Sequence, residues 1–327
     1  MTILVTGSAG HLGEAIMRSL RASARSCVGI DIKASAFTDH VGSITDRDFV
    51  REQLRGVRTV LHTATLHKPH VATHSRQAFV DTNVTGTLNL LEEATSAGVD
   101  SFVFTSTTSA FGSALTPAAG EPAAWVTEDV TPIPKNIYGV TKVSAESLCE
   151  LFHRKERLPI LVLRTSRFFP EADDDAAVRD RYELANAQAN ELLYRRVDIE
   201  DVVSAHLLAI EKAKAIGFRR YIISATTPFT RDDVAELRRD AVSVVHRLFP
   251  ESASLYASRG WKLLPELDRV YVNALARNEL GWRPKADFQH VLDSLRAEKD
   301  FRSALARDVG SKGYHATTFD DGPYPVA

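Results

Sequence analysis

The sequence predicts an α/β protein built on a doubly wound parallel sheet, and three observations lead there. Short apolar runs alternate with helix-period segments through the first half of the chain. A glycine triplet stands where the first run gives way to the first helix. An aspartate, Asp31, closes the second run. Strands that alternate with helices put crossovers on both faces of a parallel sheet.

Residues 3–6 form the first apolar run, which stops at Gly7. Residues 12–20 carry Leu12, Ala15, Ile16 and Leu20 at helical spacing. Residues 27–30 read as the second strand, 46–54 as a short helix and 57–62 as the third strand. Over 79–94, apolar or small residues recur at 80, 84, 87, 88, 91 and 94, a helical period. Strand 101–105, helix 144–154 and strand 160–163 complete this half. Residues 165–196 contain Pro170 and an acidic cluster at 173–175, so they are expected to loop over the sheet. Then come a helix over 197–214, a strand over 220–224, a helix over 231–248 with Thr230 as N-cap, and a helix over 268–280 closed by Gly281. Residues 308–327 carry no assignable pattern. The expected organisation is a first domain of residues 1–165, rejoined by 197–226, and a smaller discontinuous lobe of 166–196 and 227–327.

Composition narrows the function. The 327 residues are 44% hydrophobic and 25% charged, which is ordinary for a globular protein. Lys plus Arg is 40 and Asp plus Glu 42, a net charge of −2, which gives no electrostatic case for a nucleic-acid partner. No apolar run approaches the ~20 residues that span a bilayer. The start, MTILVTG, lacks a basic leader region and a cleavage site, and two unclustered cysteines, Cys27 and Cys149, indicate neither a disulfide framework nor a zinc site. A cytoplasmic protein without a membrane partner is expected.

The glycine loop carries the first chemistry. Gly7, Gly10 and Gly13 are spaced Gly-x-x-Gly-x-x-Gly between the first strand and the first helix. The first glycine allows the tight turn, the second lets backbone approach a pyrophosphate, and the third permits close helix–strand packing. The helix N-terminus then offers free N–H groups to phosphates. Asp31 can accept hydrogen bonds from an adenosine ribose and would repel a 2′-phosphate. NAD is therefore favoured over NADP, with Lys33 partly offsetting Asp31.

The second motif is Tyr138-x-x-x-Lys142 at the start of a helix. Residues four apart share a helix face. A free phenol has a pKa of ~10 and is a poor base at neutral pH. An ammonium one turn away, together with a nicotinium ring above, stabilises the phenolate and lowers that value. Four histidines, His62, His67, His70 and His74, lie close together, and His70 and His74 have the spacing of a helical metal pair. No Glu separates them and no third ligand is evident, so no metal site is assigned. His62 closes a strand and reads as a core residue.

With both motifs in place, the chain resembles the extended short-chain dehydrogenase/reductase superfamily, in its NAD-dependent epimerase/dehydratase branch. The matching pieces run in family order: TGSAGHLG, Asp31, LHTAT, FVDTNVTGTLNLLEEA, FVFTSTTSAFG, YGVTK, VDIEDVVSAHLLAI and LGWRP. The resemblance implies a Rossmann-type domain holding NAD through Gly7, Ala9, Gly10, His11, Leu12, Gly13, Asp31, Ser43, Ile44, Thr63, Ala64 and Asn83, with Tyr138 and Lys142 reaching the nicotinamide half. Ser43 stands where similar proteins have Asp. Asn83 reads equally as a buried amide that ties down a strand. Thr107 aligns as the catalytic hydroxyl beside Tyr138 and Lys142, with Ser106 and Thr108 as competitors. The family also pairs two copies through the helices of 79–94 and 144–154, so a homodimer is expected.

Departures from the family point toward the substrate. Dehydratases of this branch carry Asp-Glu after the catalytic Thr, whereas this chain has Thr108 and Ser109. Nucleotide-sugar enzymes have Asn where this chain has Arg167, and Arg-Asp where it reads Tyr194-Arg195-Arg196. The segment between Pro170 and Val197 is also short, and RTSRFFPE at 164–171 is similar to uronate dehydrogenases of the family. Arg167, Arg195 and Arg196 are candidate anion donors; His67 and Thr108 are candidate substrate contacts. The expected function is NAD-dependent hydride transfer at a secondary alcohol of a sugar, sugar acid or sugar derivative, by an epimerase or a dehydrogenase. The alternatives are a nucleotide-sugar 4-epimerase, such as UDP-glucose 4-epimerase, and a non-catalytic NAD-binding regulator.

Overall fold

A computed structural model describes residues 2–173 and 175–312. Its centre is a seven-stranded parallel sheet in the order β3-β2-β1-β4-β5-β7-β8. The strands are β1 (Thr2–Thr6), β2 (Cys27–Asp31), β3 (His40–Val41), β4 (Val57–His62), β5 (Ser101–Thr107), β7 (Ile160–Thr165) and β8 (Phe218–Ile223). A separate parallel pair joins β6 (Ala124–Val126) to β9 (Arg269–Tyr271). Alternation along each strand explains the layering. Ile3 and Val5 face a core shared with the helices His11–Ala22 and Ile199–Ile216, while Leu4 faces the opposite core with the helices Gly86–Ser96 and Ile137–Glu156. A third core is built on the helices Leu184–Glu191, Val234–Leu248 and Phe288–Arg296.

Strand order reverses between β1 and β4, and that switch point opens the crevice in which α/β sheets bind ligands. The glycine loop leaves β1 on this side. Gly7 has φ +75°, and a Cβ there would stand 2.7 Å from the backbone nitrogen of Ala64. A Cβ at Gly13 would stand 1.9 Å from the Gly7 carbonyl oxygen, so both positions exclude a side chain through the protein's own packing. Gly10 differs: its Cβ would meet only the Gly7 oxygen, at 3.3 Å.

The structure departs from the sequence reading in three places. The 79–94 helix is two helices, Arg76–Phe79 and Gly86–Ser96, joined by a π-helical turn at Val80–Thr85. Residues 165–196 are not only loop, because they include the helices Ala176–Arg181 and Leu184–Glu191. The helix expected over 268–280 begins instead as strand β9, since Arg269–Tyr271 pairs with β6, and helix forms only from residue 274 onward, with Ala276–Leu280 as a π turn. Residues 313–327 of the unassigned tail lie outside the described residues.

One buried carboxylate locks the Tyr138 helix to the sheet. Glu146 accepts from Ser106 Oγ of β5 at 2.6 Å, from Arg164 Nη2 of β7 at 2.8 Å and from Arg220 Nε of β8 at 3.1 Å. A buried charge that loses its partner is strongly destabilising. Glu146→Ala is therefore expected to lower unfolding free energy by about 3–5 kcal/mol, read as a drop in urea midpoint at unchanged slope. In the glycine loop, Gly13→Ala is expected to cost about 1–3 kcal/mol or more, and Gly10→Ala, whose Cβ would only press on the Gly7 oxygen, less than that; thermal denaturation of the two variants side by side checks the contrast.

Candidate active site

The crevice is a cavity of about 540 Å³. Gly7, Ala9, Gly10, His11, Leu12 and Gly13 line its glycine-loop part, and Asp31, Ser43, Ile44, Thr63 and Ala64 also border it. Asp31 is held in place by backbone: its Oδ2 accepts from the Ala9 amide at 3.0 Å and its Oδ1 from the Lys33 amide at 2.9 Å. Thr63 donates from Oγ1 to the Thr6 carbonyl at 2.6 Å, and the Ala64 amide donates to Thr6 Oγ1 at 3.1 Å, so the end of β4 is stitched to the end of β1. These residues fit a dinucleotide. The Gly10 position is kept open although the protein's own atoms barely fill it, and the amides of a helix start face the space.

Asn83 is placed differently from the cofactor role expected of it. It is buried and does not border the cavity. Its Oδ1 accepts from Leu66 N and Thr65 Oγ1, and its Nδ2 donates to the Leu66 carbonyl and to Thr141 Oγ1. All of its hydrogen-bonding capacity goes to pinning the loop after β4 against the Tyr138 helix. His62 is a satisfied core residue, bridging Thr6 Oγ1 at 2.8 Å and Thr87 Oγ1 at 2.9 Å.

Thr107, Tyr138 and Lys142 all border the cavity, and all are buried. Asn136 caps the Tyr138 helix by accepting from the Gly139 amide at 3.0 Å, which sets the turn that carries the phenol. Thr107 Oγ1 accepts from the Ser109 amide at 3.0 Å, and its hydroxyl works to lower the pKa of the Tyr138 phenol. Ser106 gives its proton to Glu146, and Thr108 points toward the Thr165 carbonyl at 3.5 Å.

Burial pushes the Tyr138 phenol up to about 12, with the Thr107 hydrogen bond opposing it. Burial pulls Lys142 down to about 7, opposed by the carboxylate of Glu146. The Lys142 ammonium donates to the Thr105 carbonyl at 2.6 Å and lies 4.0 Å from the centre of the Phe104 ring. In the protein without its cofactor, burial is thus the largest influence on the phenol.

A cationic wall borders the same cavity. Arg167 and Arg195, both anticipated, are there, joined by Lys68 and Arg269, which were not. Arg167 donates to the carbonyls of Glu171 and Ala172 at 3.1 and 2.7 Å. Arg195 pairs with Asp173 at 2.5 Å and Glu191 at 2.8 Å, and Arg269 pairs with Asp268 at 2.7 Å, while the Nε of each is buried with no hydrogen-bond partner among the described residues. Lys68 is lowered by burial and then by the guanidiniums of Arg167, Arg195 and Arg269. Arg196 is turned away into the protein, onto Glu191 and the Phe169 carbonyl, and does not border this cavity. His67 borders it, packed against Phe169 and His70, and burial holds its pKa well below the usual value. His70 and His74 contact each other as rings, with centroids 5.0 Å apart. Arg269 and Tyr271 escaped the sequence reading because a helix was expected there; the β-prone pair Val270-Tyr271 was the available signal.

Comparison with known proteins agrees with this geometry. An uncharacterized protein of Sinorhizobium fredii, y4nG, is 28% identical over 95% of this chain and 82% of its own length. A UDP-glucose 4-epimerase of Streptomyces lividans is 25% identical over 89% of this chain and 94% of its own. Among solved structures, a short-chain dehydrogenase/reductase superfamily protein from Agrobacterium tumefaciens, crystallised with bound NAD, superposes with a TM-score of 0.66 at 23% identity, covering 91% of this chain and 98% of that one. The model of the NAD dependent epimerase/dehydratase family matches residues 3–223, from β1 to the end of β8, and the chain belongs to that NAD-dependent family.

Proposed function

We propose that this protein catalyses hydride transfer at a secondary alcohol carbon of a small carbohydrate that carries a carboxylate or phosphate. The observation that carries the reading is one cavity bordered by the glycine loop, by Thr107, Tyr138 and Lys142, and by Lys68, Arg195 and Arg269. Gly7 to Gly13 and Asp31 hold the NAD. Bound NAD supplies the hydride acceptor and, when oxidised, a positive charge.

Tyr138 exchanges the proton of the reacting hydroxyl. In the cofactor-free protein burial keeps it protonated, which makes it an acid ready to serve a ketone oxygen. Taking a proton from an alcohol requires that pKa to fall, through positive charge brought close to the phenol. Thr107 spends its acceptor on the Ser109 amide, which leaves its own hydrogen to donate and orient. Lys142 is fixed by the Thr105 carbonyl on the same helix face. Thr108 and Ser109 supply no carboxyl group for dehydration.

The substrate's anion is argued from the wall. Lys68, Arg167, Arg195 and Arg269 border one cavity, and charge-assisted hydrogen bonds from guanidinium or ammonium groups to a carboxylate or phosphate are the strong ones. Nucleotide-sugar 4-epimerisation is the second reading, supported by relatives of that name. The shared Thr–Tyr–Lys set weighs against a purely regulatory protein. Two copies are expected to pair through the helix faces on which Val140 and Leu151 stay exposed.

Tyr138→Phe is expected to lower turnover about a hundredfold or more while NAD affinity, measured by titration calorimetry, changes little; an unchanged rate would remove Tyr138 from its role. Assay of sugars, sugar acids, sugar phosphates and nucleotide sugars with NAD, read by NADH absorbance and by product analysis, separates dehydrogenase from epimerase. With an anionic substrate found, Arg269→Gln is expected to raise KM about tenfold to a hundredfold with kcat nearly constant. The same variant should leave KM alone for any neutral sugar that turns over.

A further inference from the structure

The end of the described chain returns to the glycine loop. After the helix Ala304–Val309, which packs beside the helix His11–Ala22, Ser311 and Lys312 cross the first turn of that helix. The strap is fastened to two buried carboxylates. Glu171 Oε1 accepts from Ser311 Oγ at 2.7 Å, from the Lys312 amide at 3.3 Å and from His11 Nε2 at 2.9 Å. The ammonium of Lys312 pairs with Glu14, one turn into the helix. Glu171 is held ionised: burial would raise its pKa, but the bonds from His11 and Ser311 bring it down to about 2. The strap is therefore anchored to charges inside the molecule rather than laid on its surface, and Lys312 borders the same cavity as Gly10 and His11.

Charge gives the strap a purpose. A dinucleotide brings two negative charges to the loop. Between residues 7 and 44, the ionisable side chains bordering the cavity, histidine aside, are Asp31 and Lys33, which belong to the end of β2. The phosphate-facing turn contributes backbone N–H groups and the helix dipole. Lys312 is the cation added beside that turn, from beyond the segment that the family model matches.

We propose that Lys312 is a cofactor-binding residue: its ammonium moves from Glu14 toward the pyrophosphate of NAD, and Ser311–Lys312 form the outer wall that slows release of the dinucleotide. The inference rests on the NAD site and not on the proposed turnover, so it is tested without substrate. The full-length protein and its Lys312→Met, Lys312→Ala and Lys312→Arg variants are titrated with NAD and with ADP-ribose by calorimetry, and NAD release is followed by stopped-flow fluorescence. Lys312→Met keeps the aliphatic stem and removes the charge. It is expected to weaken both ligands about tenfold or more and to speed release, with Lys312→Arg close to the parent; Glu14 keeps Arg18 as a partner at 2.8 Å, so the thermal midpoint of the ligand-free Lys312→Met protein falls only slightly. Adenosine, which has no phosphate, is expected to compete equally well in all four proteins. Wild-type affinity in Lys312→Met, or an equal loss for adenosine, would overturn the proposal and leave the strap a tether. An inactive protein that still shows the charge-dependent affinity would sink the proposed turnover and keep this inference.

Discussion

The carboxylate of Glu146 is the constraint from which the site follows. It lies one helical turn beyond Lys142 and is gripped by β5, β7 and β8 through Ser106, Arg164 and Arg220. Those contacts fix the rotation of the Tyr138 helix about its axis, and hence which face meets the strand ends. They also occupy Ser106, while its neighbour on the opposite side of the strand, Thr107, takes the Ser109 amide. A charge this deep is costly unless fully paired, and here three donors from three strands meet it. The same carboxylate opposes the pull of burial on Lys142. Structural locking and electrostatic tuning are thus one interaction.

The rest of the crevice repeats the pattern of sequence-distant segments held by buried polar contacts. Asn83 joins the loop after β4 to Thr141. Thr6 joins the ends of β1 and β4. Glu171 joins the first helix to the far end of the chain. Each cross-link sits at the carboxyl edge of the sheet, where loops would otherwise be free to move.

Much of this was legible in the sequence. The strand–helix alternation, the glycine triplet, Asp31 and the Tyr–Lys pair are local signals, each dictated by backbone geometry or by the reach of one helical turn. What escaped was set by partners far away. Residues 269–271 become strand because β6 is there to pair with, and no local period records that. Asn83 left two readings open, a cofactor contact and a buried amide, and its bonds to Leu66 and Thr141 belong to the second. The partners of Ser106 were equally out of reach, because Glu146 lies forty residues along the chain.

The pairing of β9 with β6 has a consequence for how the two sides of the crevice can vary. Thr107 ends a strand of the large sheet, whereas Arg269 begins a strand of the small one. A substitution that shifts β9 along β6 would carry Arg269 with it and leave the end of β5 in place, so one wall of the cavity can be remodelled while the opposite wall keeps its geometry.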